Sequence, residues 1–300
     1  MNIEDVIFID CETARNQMEL QDGTPDYDAW KYMMDRSKEK TEKSLEELYI
    51  ESSALYPEFS RVVCISVGRV LNGKLTVTTY SDSDESVMLD HFTSDMNRVT
   101  KSKPKTVLCG HSVVGFDIPF IFKRCLANQI VPNVLFDTGG LKPWEVTALD
   151  TKLLWKGTSF YNSSLISVCL ALNIPSPKSD ITGAEVADIY YTEGDEGLLR
   201  ICNYCERDVW AVANILLRLQ FKPILENFES KTPSPKKEEG LIERISNTGS
   251  INLDDREEIL RKAKGSKVDE KEKQIQIIKA ALAIHKKDIP EELELDILRA

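Results

Sequence analysis

The sequence predicts an α/β protein, a mixed β-sheet flanked by helices, followed by a small C-terminal helical module. Three observations predict it. The run "VIFIDC" (residues 6–11) is apolar at successive positions, as a strand covered on both faces requires. The stretch "RVVCISVGRVLNGKLTVTTYS" (61–81) holds two β-rich runs around Asn72-Gly73, a pair that tolerates the positive φ of a tight hairpin turn. Helical periodicity then alternates with short apolar runs, which lays helices against a sheet.

The elements follow in order. After the first strand, residues 14–57 are too long for a plain connection and read as an ordered insertion or lid, with Tyr27, Trp30 and a charged helical stretch around 31–49. The hairpin comes next, then a helix over 86–98. "TVLCG" (106–110) is a second buried strand, "IPFIFKRCLANQ" (118–129) has helical period, and "VTALDTK" (146–152) reads as the last strand. Helices dominate from there to about residue 222. "ESKTPSPKKEEG" (229–240) has the Pro, Ser and charge content of a linker. Beyond it, "LDDREEILRKAKG" and "EKEKQIQIIKAALAIHKK" are amphipathic, with Asp254 an expected N-cap. The expected domains are therefore 1–228, a linker 229–240 and a helical module 241–300.

Composition narrows the class. The chain has 300 residues, 42% of them hydrophobic and 29% charged, as in a soluble protein with a real core. A net charge of −11 argues against a protein that coats nucleic acid by neutralising phosphates, though not against one that grips a few nucleotides through bound cations. "MNIEDVIFID" lacks the basic flank and long apolar core of a signal peptide, and no run reaches the roughly 18 apolar residues of a membrane helix. The seven cysteines are an odd number, six of them in apolar or helical contexts, which favours free thiols in a reducing, cytoplasmic compartment. Cys202 and Cys205 form a lone CxxC with no second pair at zinc-binding spacing, so they read as two helix residues.

Three sites carry chemistry. Alternation along a strand puts Asp10 and Glu12 on one face, where they repel unless a cation lies between them. Mg²⁺ prefers such hard oxygen ligands; solvated acids at a strand end are the plainer reading. In "GHSVVGFDIPFIF" (110–122), Asp117 opens a helix, where it could equally be an N-cap. In "YCERDVWAVANIL" (204–216), Tyr204 and Asp208 are four apart and share a helix face, as an exposed acid and a half-buried tyrosine also would.

Together, these motifs in this order resemble the DEDD exonuclease superfamily in its tyrosine-bearing branch (DEDDy). The likeness is to the 3′–5′ proofreading domain of B-family DNA polymerases and to stand-alone predicted exonucleases related to it. "LYPEFSRVVCISVG", "CGHSVVGFDIPF", "KPWE" and "YCERDV" carry it, over roughly residues 1–222. The histidine branch is set aside because His91, His111 and His285 are the only histidines and none adjoins Asp208.

The resemblance implies a ribonuclease H-like fold, one of many α/β folds that the strand and helix pattern would allow. It implies a phosphodiesterase that works from the 3′ end of DNA, single strands favoured, and releases nucleoside 5′-monophosphates with two divalent ions, Mg²⁺ or Mn²⁺. Asp10, Glu12 and Asp208 would hold the first metal, Asp10 would also touch the second, and Asp117 would complete the site largely through water. Tyr204 would orient the attacking water. Thr13 would lie at the terminal nucleotide and Phe116 near the penultimate one, with Cys11 also counted among the substrate-binding residues. Where the family's second motif has Asn, this chain has Ser112, with a shorter reach and one fewer donor, which changes how the substrate strand is positioned; His111 either shares that task or is a plain polar loop residue. "KSKPK" (101–105), Lys123, Arg124 and Arg207 are either phosphate contacts or ordinary solvated charge, and the insertion either stacks bases through Tyr27 or Trp30 or is a packing element that covers the sheet. RNA is an alternative substrate. A catalytically weak binding or scaffold subunit is another reading, with 241–300 recruiting a replication protein or a second copy. Stand-alone relatives of this kind suggest a bacterial or phage-infected host cell.

Overall fold

The computed structural model describes residues 2–37, 42–177, 180–231, 251, 256, 259–260, 268–283 and 287–299. The chain divides into two compact units, Met1–Pro233 and Ser234–Ala300.

The first unit is built on a six-stranded mixed sheet in the order β5-β4-β1-β2-β3-β6. Its strands are β1 (Val6–Arg15), β2 (Ser60–Leu71), β3 (Lys74–Ser81), β4 (Val107–Gly110), β5 (Ala148–Asp150) and β6 (Phe228–Ser230). β1 lies inside the sheet, antiparallel to β2 and parallel to β4, as its doubly apolar run requires. The hairpin turns at Asn72 (φ 50°) and Gly73 (φ 75°), where Leu71 faces Lys74. These positive φ values explain the Asn-Gly pair.

The sheet does not end at residues 146–152. β6 adds a parallel edge beside β3, with Leu75 opposite Phe228, and the Lys231 N–H donates to Val77 O at 2.7 Å. Three residues, of which Glu229 and Ser230 are exposed, carry no alternating pattern to read. Those two residues also fall in the stretch read as linker; 232–240 lie outside the described residues.

Strand alternation sorts β1 onto two faces. Ile7, Ile9 and Cys11 pack with residues of α3 (Glu85–Ser102) and α4 (Asp117–Ala127). Beyond α5 (Thr151–Lys156), α6 (Leu165–Ala171) and α7 (Val186–Thr192) in the chain, α8 (Gly194–Leu219) packs on Val6 and Phe8 through Val209, Trp210 and Ala213. Each such aliphatic or aromatic side chain contributes roughly 1.5–3 kcal/mol when fully buried. Gly68 on β2 lets this helix close on the sheet, since a Cβ there would lie 2.6 Å from Val209 Cγ1.

The insertion folds as two helices, α1 (Pro25–Arg36) and α2 (Leu45–Ser52). Thr24 caps α1 with Pro25 in its first turn, and Ser44 and Glu47 form a capping box on α2. Trp30 is fully buried between Tyr49, Tyr56 and Phe59, and its Nε1–H donates to Leu45 O at 3.1 Å. Trp30 is therefore the centre of a small core, not a platform for bases; Tyr27 packs half-buried on the same cluster.

In the second unit, helices Val268–Ala283 and Glu291–Arg299 bury Ile275, Ile278, Leu282, Leu293 and Ile297 together with Ile259 and Ile289. Asp254 lies outside the described residues. Among the described residues no helix is long and apolar enough to cross a membrane, and all seven cysteines are buried free thiols.

Candidate active site

The face of β1 that buries Val6 and Phe8 continues into Asp10 and Glu12, so the apolar row under α8 ends in two acids. A bulge follows at Glu12/Thr13. Here α8 brings up Tyr204, Cys205 and Asp208. Cys205 Sγ lies 3.4 Å from both the backbone oxygen and Oδ2 of Asp10. Donor atoms of Asp10, Glu12 and Cys205 all lie within 4.8 Å of one another, a ligand-like grouping among the described residues.

Asp117 arrives from the other side. β4 stops at Gly110, with Cys109 paired to Phe8, so the Cys11 N–H extends past its end. The Asp117 carboxylate accepts that N–H at 3.0 Å and stands where a longer β4 would. Asp117 is the first residue of α4; the N-cap is Phe116.

These acids share one electrostatic neighbourhood. Burial pushes Asp10 well up, and Cys205, Glu12, Asp117 and Asp208 raise it further. Burial does the same to Glu12, followed by Asp208 and Asp117. Asp117 is pushed up by burial to about 6, held back by its bonds with Cys11. Asp208 is pushed up by burial to about 7, held back by the Tyr204 hydroxyl. That hydroxyl is itself raised, by burial and then by Asp208, Glu12 and Asp10, so Tyr204 remains a hydrogen-bond donor. A cavity of about 430 Å³ opens here, lined by Ser164, Leu165, Ile166, Ile181, Tyr204 and Asp208 among others.

The loop after β4 is held by two polar anchors. Asp150 Oδ1 accepts the Ser112 N–H at 3.0 Å and Oδ2 that of Val114 at 3.2 Å. The same carboxylate caps α5 (Thr151–Lys156) through the N–H groups of Lys152 and Leu153. Ser112 sits at φ 70°, a left-handed conformation these bonds hold in place. His111 contacts Thr151 Oγ1 through Nδ1 (3.0 Å) and Ser163 O through Nε2 (3.3 Å). Burial lowers its pKa.

The structure thus brings together Asp10, Glu12, Asp117, Tyr204 and Asp208. The remaining expected residues are near but turned to other partners. Thr13 is buried and its hydroxyl donates to Ala54 O at 2.7 Å, tying the insertion to β1. The Cys11 thiol belongs to the opposite core, where burial pushes its pKa well up. Phe116 is half-buried with its ring 5.2 Å from that of Phe120, and both His111 nitrogens are engaged with protein.

Three of the candidate cation sites are committed elsewhere. "KSKPK" lies at the start of β4, opposite Val6, and Lys103 Nζ is 3.5 Å from Glu4 O, at the far end of β1 from the acids. Lys123 pairs with Glu58 at 3.7 Å, and Arg124 pairs with buried Glu85 and donates to Pro57 O. Arg207 is exposed on α8. Sequence reasoning missed Cys205 and Asp150. The first had a signal, three residues before Asp208 on the same helix; the second had none beyond its place at a strand end.

A family model described as "Predicted 3′-5′ exonuclease related to the exonuclease domain of PolB" matches residues 53–239, more than half of the chain. The match takes in the loop from His111 to Asp117 and the helix bearing Tyr204 and Asp208; it begins after Asp10 and Glu12. No curated protein sequence matches the chain. The six-stranded mixed sheet with helices on both faces is consistent with a ribonuclease H-like exonuclease fold. The chain belongs to the family of predicted 3′–5′ exonucleases related to the exonuclease domain of PolB.

Proposed function

We propose that this chain hydrolyses the last phosphodiester bond at the 3′ end of single-stranded DNA, releasing nucleoside 5′-monophosphates, with two divalent ions, Mg²⁺ or Mn²⁺. The observation that supports it is the convergence of Asp10, Glu12, Asp117 and Asp208, each with its pKa raised by burial. Hard carboxylate donors in this number suit such cations, which would remove the mutual repulsion.

Asp10, Glu12 and Asp208 would hold one ion, Asp10 would reach the second, and Asp117 would complete the set. When bound, the ions supply an activated water and stabilise the leaving 3′ oxygen. Tyr204 keeps its proton and donates a hydrogen bond, so it can orient the attacking water beside Asp208. Asp117 holds the α4 terminus to β1 as well as contributing charge. The terminal nucleotide would occupy the cavity that Tyr204 and Asp208 line.

The test uses 5′-labelled single-stranded DNA, its duplex and the matching RNA, with Mg²⁺, Mn²⁺ or EDTA. The expected result is a metal-dependent ladder shortening from the 3′ end, fastest on the DNA single strand, and lost in Asp10→Ala. Intact substrates with wild type, or more than trace cleavage by the variant, would overturn the proposal; a ladder on RNA alone would replace DNA as the substrate.

A further inference from the structure

We propose that the stretch Thr151–Ser164 is a platform for the substrate strand upstream of the scissile bond, with bases stacking on Trp155, Phe160 and Tyr161 and phosphates held by Lys152 and Lys156. This rests on the exonuclease reading above. The stretch, "TKLLWKGTSFYNSS", interleaves three aromatics with two lysines.

Burial is the first argument. Phe160 is 97% exposed and Tyr161 84%, with Trp155 and Leu154 also open to solvent. Scattered exposed apolar residues need no explanation, but aromatics gathered on one short stretch do. α5 ends at Gly157, whose φ of 52° turns the chain out into this loop.

Charge says what covers them. In a chain of net charge −11, these residues carry two lysines and no acid. Among the described residues neither lysine pairs with a carboxylate, whereas Lys123 and Arg124 do. A cationic strip interleaved with aromatic faces suits single-stranded nucleic acid, since every base has a π-face and every linkage a phosphate.

Position supplies the third argument. His111 contacts both ends of the stretch, Thr151 and Ser163, so the second-motif loop carries it. Its last residue, Ser164, together with Leu165 and Ile166, lines the cavity that Tyr204 and Asp208 also line. A strand with its 3′ end in the cavity therefore meets Ser164 and then the aromatic loop.

The experiment measures anisotropy of labelled oligothymidylates of about three and about twelve nucleotides binding the full chain with Ca²⁺, over a range of salt. Wild type should hold the long strand more tightly. Phe160→Ala/Tyr161→Ala should lose most of that length-dependent gain, with Kd for the long strand rising about 5-fold or more. Lys152→Gln/Lys156→Gln should flatten the salt dependence, by a slope of about 0.7 for each phosphate contact removed. Both variants should melt with wild type, because the altered side chains lie on the surface. If the aromatic variant keeps the whole length-dependent gain, or wild type binds no strand, the platform is overturned and the face is left to a protein partner. Wild-type cleavage is read in parallel. Length-dependent binding lost in the variant, with no cleavage by wild type, overturns the exonuclease reading alone.

Discussion

Asp117 Oδ1 accepts the backbone N–H of Cys11 at 3.0 Å, so a site acid also completes the edge of a strand. The two roles separate by substitution. Asp117→Ala leaves a buried N–H without its acceptor and should cost about 1–3 kcal/mol. Asp117→Asn keeps an acceptor oxygen and removes a charge that burial already opposes, so its stability in EDTA should match or exceed that of wild type. Both should lose cleavage. Urea unfolding beside the gel assay reads the two effects, and equal destabilisation by Ala and Asn would contradict the strand-completing role.

The raised acids make stability depend on pH in a definite direction. Asp117 at about 6 and Asp208 at about 7 bind protons more tightly folded than at their ordinary value of 3.8. Their favourable contribution is therefore complete below pH 3.8 and lost as pH rises through 6 and 7. In EDTA, Tm should fall between pH 5 and pH 8. The proposed Mg²⁺ would bind the ionised form, so adding it should raise Tm most at pH 8, and cleavage should climb over the same interval. A Tm in EDTA that rises across this range would contradict the electrostatic picture.

What could be read from the sequence was what local periodicity encodes. Period two places Asp10 and Glu12 on one face of β1, and the i,i+4 rule aligns Tyr204 with Asp208. Asn72-Gly73 announces its own turn. β6 forms only because β3 offers an open edge, so its three residues need no pattern of their own. Trp30 carries no mark to tell a stacking platform from a core residue until Tyr49 and Phe59 fold around it. Arg124 looks like a phosphate ligand beside Asp117 until Glu85, 39 residues away, occupies it. Long-range partners decide each of these cases.

That ion pair supports a third prediction. Glu85 Oε1 accepts from Val62 N at 2.7 Å and Arg124 Nε at 2.9 Å, and Oε2 accepts from Arg124 Nη2 at 2.5 Å and Asn128 at 3.0 Å. One buried carboxylate thereby ties α3 to β2 and α4. Glu85→Ala strands a guanidinium that is only 14% exposed and should cost about 3–5 kcal/mol, read by urea unfolding. Arg124→Met/Glu85→Leu removes both charges and should recover much of that loss. Failure to recover would assign the loss to packing and to the Val62 N–H left without its acceptor.

The last prediction concerns Asp150, which fastens the loop leading to Asp117. Its Oδ1 receives the N–H groups of Ser112, Lys152 and Leu153, and its Oδ2 that of Val114. An asparagine can present its one oxygen to the first three, but its amide nitrogen then faces the Val114 N–H as donor against donor. Asp150→Asn should therefore cost about 1–3 kcal/mol, and Asp150→Ala more. The carboxylate also holds Ser112 at φ 70°, where a residue with a Cβ is strained. Ser112→Gly removes that strain, so it should return about 1 kcal/mol in wild type, where the bonds impose φ 70°, and no more than that in the Asp150→Asn background, where weaker bonds let the turn relax. The clustered acids Asp10, Glu12, Asp117 and Asp208 are untouched, so the Asp150 variants should weaken substrate binding more than chemistry, with KM rising while kcat falls little. A collapse of kcat at unchanged KM would instead place Asp150 in direct support of Asp117.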